Sequence, residues 1–383
     1  MRTFPKSLQN KLASRDEADA LRKLPAPNSR IDFSSNDYLG FSKSEEIFNA
    51  SHNYLVKAGI NSNGATGSRL ISGNHKLYKD TENAIANFHK AESALIFNSG
   101  YDANLGLFSS VPQKGDIVLY DEYIHASIRD GMRLSMAKNY KFGHNDIVDL
   151  ERLLKKAEIE NRDREIYIVT ESVFSMDGDT PDLLAMVHLA EKYNARMIVD
   201  EAHALGVFGE NGEGLLQSLA LENRVFARII TFGKGLGCHG AAIVGSLQLT
   251  QYLVNFARSF IYTTALPPHS LATILTAYSY LEQDKNSRQS LKKIIDFFTA
   301  EVKRLQLHSF IYSESAIHCA VVKGNAKVKK VAFSLQQNGF DVKPILSPTV
   351  PEGEERLRFC LHAYTTQQQV TAVLQLLSIH LSL

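Results

Sequence analysis

The stretch TFGKGLGCHGAAIVG, Thr231–Gly245, sets one lysine among closely spaced glycines at the end of the apolar run ARIITF (227–232). Three designs share that outline: a phosphate-cradle NTPase, a dinucleotide-binding domain, and an enzyme that anchors a carbonyl cofactor on the lysine. The first requires G-x-x-x-x-G-K-[ST], whereas Gly235 follows Lys234 and Ile229 stands five places before it. The second has the letters, since GLGCHG (235–240) is a literal G-x-G-x-x-G. That fingerprint must open a helix and be followed by an acid about 20 residues on. Here AAIVG reads as a strand, and no Asp or Glu occurs from Ala241 through Leu281. The third design uses glycines to bend the backbone tightly and leave space for a flat cofactor beside a Schiff-base lysine.

Outward from this stretch, short β-type runs are separated mostly by helical patterns: SALIF (93–97), DIVLY (116–120), IYIVT (166–170), RMIVD (196–200), ARIITF (227–232) and AAIVG (241–245). Leu77, Ala84, Ile85 and Phe88, then Leu183, Leu184, Val187, Leu189 and Ala190, are apolar sets on candidate helices. Continuous apolar strands alternating with helices predict an α/β fold with a mostly parallel sheet covered on both faces, and a ligand beyond the carboxyl ends of its strands. The spacing of Leu8, Leu12, Ala18, Leu21 and Leu24 predicts a leading helix over 7–24, stopped by Pro25 and Pro27. A long helical stretch is expected from Ser270 to Leu305, then a smaller α+β region with strands at 317–322 and 356–361 and helices at 325–338 and 366–380. The expected organisation is an arm (1–35), a large domain (36–270) and a small domain (271–383).

Lys plus Arg number 42 against 41 Asp plus Glu, which gives no electrostatic case for nucleic acid or an anionic membrane. Cys238, Cys319 and Cys360 are too scattered for a disulfide framework or a zinc site, so no metal is expected and a reducing cytoplasm fits. No run approaches the roughly 18 apolar residues of a membrane span, and the first residues lack the apolar core of a signal peptide.

Pyridoxal phosphate acts as an electron sink when its ring nitrogen stays protonated, which calls for a carboxylate. Asp200 ends the run RMIVD, 34 residues before Lys234. His203, in DEAHALG, is placed to donate to the cofactor phenolate; alone it would be read as a cap or core residue. DEAH by itself resembles a helicase motif, but no phosphate loop accompanies it. His125, in DEYIHAS, sits where a flat ring can stack on the pyridine. In NSGYDAN the N–H groups of Gly100 and Tyr101 at a helix start suit a phosphate dianion, with Thr231 and Ser175 adding hydroxyls. An oxidoreductase using a nicotinamide and an NTPase stand as the alternatives, opposed by the missing acid and the missing loop.

The set NDYLG (36–40), SGYDAN (99–104), ESVFSMDGD (171–179), DEAHALGVFG (200–209), TFGKGLG (231–237) and FIYTTALPP (260–268) resembles the α-oxoamine synthases, pyridoxal-phosphate enzymes of the aminotransferase-type fold (fold type I). The motifs run in the family's order over nearly the whole chain. The resemblance implies that Lys234 bonds the cofactor, Asp200 pairs with its ring nitrogen, His203 with its phenolate, and His125 stacks on the ring. It implies cofactor contacts at Gly100, Tyr101, Ser175 and Thr231, and places Asn36 and Glu171 near the reacting centre. It also implies that Arg358, with Arg356 as the nearby alternative, receives the amino-acid carboxylate, and that Arg22 is associated with the acyl substrate. Thr264 would reach the cofactor phosphate of a neighbouring subunit, so a homodimer is expected.

ADALRKL, HND (144–146) and PTVPEGEERLRFCLHA are most similar to the branch that joins L-alanine to a pimeloyl thioester, carried on coenzyme A or a carrier protein, in biotin synthesis. Sister branches use glycine or serine with other thioesters. Cys360 stands where a threonine is common, and Cys238 and His239 where Val, Gly or Ser are. A small buried thiol is the expected reading of Cys360, with a reactive nucleophile as the alternative.

Overall fold

A computed structural model of the chain describes residues 4–160 and 164–381. Its strands are β1 (Ile31–Asp32), β2 (Ser93–Phe97), β3 (Ile117–Asp121), β4 (Lys138–Phe142), β5 (Ile166–Glu171), β6 (Arg196–Asp200), β7 (Ala227–Thr231), β8 (Ala241–Gly245), β9 (Ile317–Val321), β10 (Phe340–Asp341), β11 (Lys343–Ile345) and β12 (Arg356–Cys360). They fall into two compact units, one of Asn36–Ser175 and Asp179–Lys292, the other of Met1–Ser35, Met176–Gly178 and Lys293–Leu383.

The larger unit is built on a seven-stranded sheet in the order β2-β8-β7-β6-β5-β3-β4. The five strands from β7 to β4 run parallel, and β8 is antiparallel to both β7 and β2. Alternate residues serve opposite faces: Val118, Val169, Ile198 and Ile229 enter one apolar core, while Ile117, Leu119, Ile168, Met197 and Val199 enter the other. Burial on both faces explains why these strands read as unbroken apolar runs. Truncating one of these core side chains, as in Ile198→Ala, would cost about 2–5 kcal/mol.

β4 escaped the sequence reading. It is the edge strand, KNYKF, with its lysines exposed, and charge on an edge guards against unwanted pairing at the expense of the apolar signal. The expected helix over Ser270–Leu305 is two helices, Pro268–Gln283 and Lys285–Arg304. Asp284 between them has an extended backbone (ψ 91°), and its carboxylate accepts the Ser287 N–H at 3.0 Å, capping the second helix.

The smaller unit holds the three-stranded antiparallel sheet β11-β12-β9 and the parallel pair β1-β10. Its leading helix spans Lys6–Glu17 and stops short of the expected Leu24, because Asp19 turns the backbone to φ 51°. Among the described residues no helix is long and apolar enough to cross a membrane.

Candidate active site

Parallel strands end together, and four of them in the larger unit end on polar side chains: β3 on Asp121, β5 on Glu171, β6 on Asp200 and β7 on Thr231. Glu171 and Asp200 are register partners, which sets two buried carboxylates side by side. Burial drives the Glu171 pKa up to about 8, and the Asp200 charge adds to the rise. Asp200 accepts the Ala202 N–H at 2.9 Å and the Asn104 amide at 2.9 Å. Asn104 also donates to Ser127, at 3.0 Å.

Lys234 leaves β7 in the turn before β8. Its Nζ lies 2.7 Å from His203 Nε2, and His203 Nδ1 lies 2.6 Å from the Tyr38 hydroxyl. Tyr38 in turn donates to Asn36 Oδ1 at 3.3 Å. An ammonium at Lys234 donates to Nε2, which leaves the hydrogen of a neutral ring on Nδ1, facing Tyr38. The glycines around the lysine serve close backbone approach. A Cβ on Gly235 would lie 2.2 Å from the Leu205 carbonyl oxygen, and one on Gly237 (φ 59°) would lie 2.2 Å from the Ser42 nitrogen. Where a dinucleotide site needs a helix, the chain forms β8.

The helix Gly100–Ser110 starts after Ser99, whose hydroxyl caps it by accepting the Asp102 N–H at 3.0 Å. The N–H groups of Gly100 and Tyr101 therefore lie in its first turn, without carbonyl partners inside the helix. A Cβ at Gly100 would meet Thr231 Oγ1 at 2.9 Å, so the glycine lets the helix start approach the end of β7 closely. His125 presents an exposed ring, its backbone N–H held by Glu171 at 2.6 Å and its Nδ1 2.7 Å from the Ser127 hydroxyl.

These features fit pyridoxal phosphate: an amine beside a histidine, a buried carboxylate with fixed donors, an open flat ring, and a helix start with a hydroxyl beside it for a dianion. Hydrogen bonds tie Asn36 and Tyr38 to His203 and Lys234, and Glu171 to His125, while Gly100 lies beside Thr231. Ser175 lies in the turn after β5, and Thr264 is exposed, its carbonyl accepting Asn98 at 2.7 Å. Tyr38 and Asn104 carry no local signal of these roles, although Tyr38 stands in NDYLG and Asn104 ends SGYDAN.

Arg22, Arg356, Arg358 and Cys360 belong to the smaller unit. Arg356 pairs with Asp177 and, at 3.2 Å, with Glu354. Arg358 donates to Cys360 Sγ at 2.9 Å, and that thiol is fully buried on β12. Arg22 reaches the Thr349 hydroxyl at 3.4 Å. Cys238 donates to the Leu236 carbonyl at 3.1 Å.

Fold and comparisons together define a fold type I, pyridoxal-phosphate-dependent enzyme. The model of the family "Aminotransferase class I and II" matches residues 28–377. An 8-amino-7-oxononanoate synthase of Emericella nidulans is 41% identical, over 96% of this chain and 94% of that protein. A Francisella tularensis 8-amino-7-oxononanoate synthase structure superposes with a TM-score of 0.79 at 30% identity, covering 93% of this chain and 99% of the other. Serine palmitoyltransferase from S. paucimobilis with a bound PLP-myriocin aldimine gives a TM-score of 0.87 at 26% identity, with 98% and 96% covered. The chain belongs to the aminotransferase class I and II family, and within it to the pyridoxal-phosphate-dependent α-oxoamine synthases, which are acyltransferases.

Proposed function

We propose that the chain condenses L-alanine with a pimeloyl thioester, of coenzyme A or a carrier protein, releasing carbon dioxide and 8-amino-7-oxononanoate in biotin synthesis. The observation that carries this choice of substrates is the 41% identity, over nearly the full length of both chains, to an enzyme named for that product. Bound at the rim, pyridoxal phosphate supplies an aldehyde that condenses with amines and a ring that draws an electron pair from the bond beside them.

The residues then divide the work. Gly100, Tyr101, Ser175 and Thr231 hold the phosphate and fix the ring's position. Asp200 keeps a proton on the ring nitrogen, and Asn104 keeps Asp200 oriented. His203 would donate to the phenolate oxygen from Nε2, its Nδ1 then accepting from the Tyr38 hydroxyl, and His125 would cover one face of the ring.

With pyridoxal phosphate bound, Lys234 would hold it and would take the proton from the alanine Cα. That carbon attacks the thioester carbonyl and the thiolate leaves, to take a proton from solvent. The resulting β-keto carboxylate loses carbon dioxide, and Lys234 returns a proton to the same carbon. Asn36 and Glu171 line the reacting centre. Arg358 is assigned to the alanine carboxylate, Cys360 to its surroundings and Arg22 to the acyl substrate, on their match to the family motifs.

The active form is proposed to be a cytoplasmic homodimer in which Thr264 serves the neighbouring subunit's phosphate. Leu70, Ile71 and Tyr262 are exposed around a contact in which Ala265 N–H donates to the Gly67 carbonyl at 3.0 Å, an apolar surface suited to a second copy. The test crosses alanine, glycine and serine with acetyl, pimeloyl and palmitoyl thioesters and reads the products by mass spectrometry. Alanine with pimeloyl thioester is expected to dominate; preference for glycine with acetyl, or serine with palmitoyl, reassigns the chain to a sister reaction.

A further inference from the structure

His144 lies outside the proposed cofactor contacts, yet it is held on every side within the larger unit. Its Nδ1 is 2.9 Å from Asp121 Oδ1 and its Nε2 is 2.8 Å from Asp179 Oδ2. Tyr123 stacks on the ring at 4.4 Å between centroids, and Phe174 meets it edge-on at 4.5 Å. The backbone N–H of His144 donates to Glu122 Oε1 at 3.2 Å. Asn145 donates from its backbone to Asp121 Oδ2 at 2.8 Å and from its amide to Asp179 Oδ2 at 2.7 Å.

A neutral imidazole has one N–H, so between two carboxylates it would set one lone pair against another; only the imidazolium donates to both. Burial by itself pulls the pKa of this ring down, but the hydrogen bonds and charges of Asp121 and Asp179 outweigh it and push it up to about 9. The two acids are thereby bridged by one fixed cation.

The bridge joins two segments that carry candidate site residues. Asp121 ends β3 and also accepts the Tyr123 N–H at 2.8 Å, and His125 follows two residues later, tied to Glu171. Asp179 closes the turn that contains Ser175, its carbonyl accepting the Phe174 N–H at 3.0 Å. We infer that His144 is a positioning residue: held between Asp121 and Asp179, it locks the segment Asp121–His125 to the turn after β5 and so sets the placement of the His125 ring. It acts through that segment and touches no reacting atom.

The test uses the full chain carrying His144→Gln, with histidine nitrogens observed by NMR in cofactor-free protein and pyridoxal-phosphate affinity measured by absorbance titration. In the parent chain both His144 nitrogens should be protonated at neutral pH; a neutral ring overturns the inference. In His144→Gln the His125 signals should shift and the cofactor dissociation constant should rise by about tenfold, the scale seen when an outer partner of a functional histidine is lost. A lowered thermal midpoint with unmoved His125 signals and unchanged cofactor affinity is what a merely structural histidine gives, and overturns it.

Should His144→Gln not fold, Tyr123→Leu removes only the stacked face; it should move the same signals less, and an unmoved His125 overturns the inference. The inference takes the rim as the cofactor site. Because the NMR arm needs no cofactor, failure of the clasp is distinct from failure of that reading, which would appear as a parent chain that binds no pyridoxal phosphate.

Discussion

Both the strand-end rim of the larger unit and the three-stranded sheet of the smaller unit bury ionisable side chains. On the rim Asp121, Glu171, Asp200 and His203 each face a named partner, and the groups lie within one another's fields. In the small sheet His318, on β9, packs against Phe298 at 4.6 Å between centroids, and its Nε2 has no hydrogen-bond partner among the described residues. Parallel strands ending in register gather polar groups at one edge, where partners can hold them ready for chemistry. His318 is a packing element that carries a titration cost, unlike Arg356 on β12 of the same sheet, which is paired with Asp177 and Glu354.

The largest expected effect lies on the rim. Lys234→Ala should lower turnover by about a thousandfold or more, because anchor and base are lost together. The folded structure should persist, since the lysine side chain is only half-buried; circular dichroism and steady-state rates check both parts. Near-normal turnover would remove the rim as the reacting centre. Asp200→Asn should be less severe, about a hundredfold in kcat, since the one amide oxygen can still accept from either Asn104 or Ala202 but the side chain cannot hold a proton on the ring nitrogen. The cofactor spectrum should change while the protein still binds it; an unchanged spectrum and rate would assign the carboxylate to structure alone.

Glu171 sharpens the comparison through pH. Its folded pKa, about 8, exceeds its ordinary 4.5, so the folded state keeps a proton that the unfolded chain gives up between those values. Folding stability is therefore lost as pH rises from about 4.5 to 8, by an amount on the order of a few kcal/mol. Glu171→Gln removes that slope, and denaturant midpoints of cofactor-free protein at the two ends of the window measure it. Equal slopes in parent and variant would show that the carboxylate is ionised throughout.

The sequence carried the rim's acids and bases because strand ends are visible as the last polar letter of an apolar run: Asp200 after RMIV and Thr231 after ARII both follow that rule. Partners were not visible in the same way. Tyr38 and His203 are 165 residues apart and Asn104 and Asp200 are 96 apart, and no local spacing connects them. The edge strand β4 was lost because its charge obeys a rule about exposure rather than burial. The break at Asp284 was lost because apolar periodicity continues on both sides of a single capping residue.

His318 gives the smallest effect and the clearest contrast with the rim. Burial drives its pKa down to about 3, from an ordinary 6.5, with only the Ser315 backbone opposing the shift. The folded state therefore holds the ring neutral while the unfolded chain takes up a proton, and stability falls as pH drops below about 6.5. At pH 5 the loss is about 2 kcal/mol, 1.5 pH steps at about 1.4 kcal/mol each. His318→Leu, similar in bulk and without a titrating nitrogen, should be less acid-sensitive than the parent: the stability curves of variant and parent should diverge below pH 6.5, by about 2 kcal/mol at pH 5, and stay parallel above it, where Glu171 acts alike on both. If the two curves stay parallel below pH 6.5 as well, the imidazole gains a partner or solvent as it protonates, and His318 is then no contrast to the rim but, like Arg356 on β12, a buried charge that the small sheet accommodates.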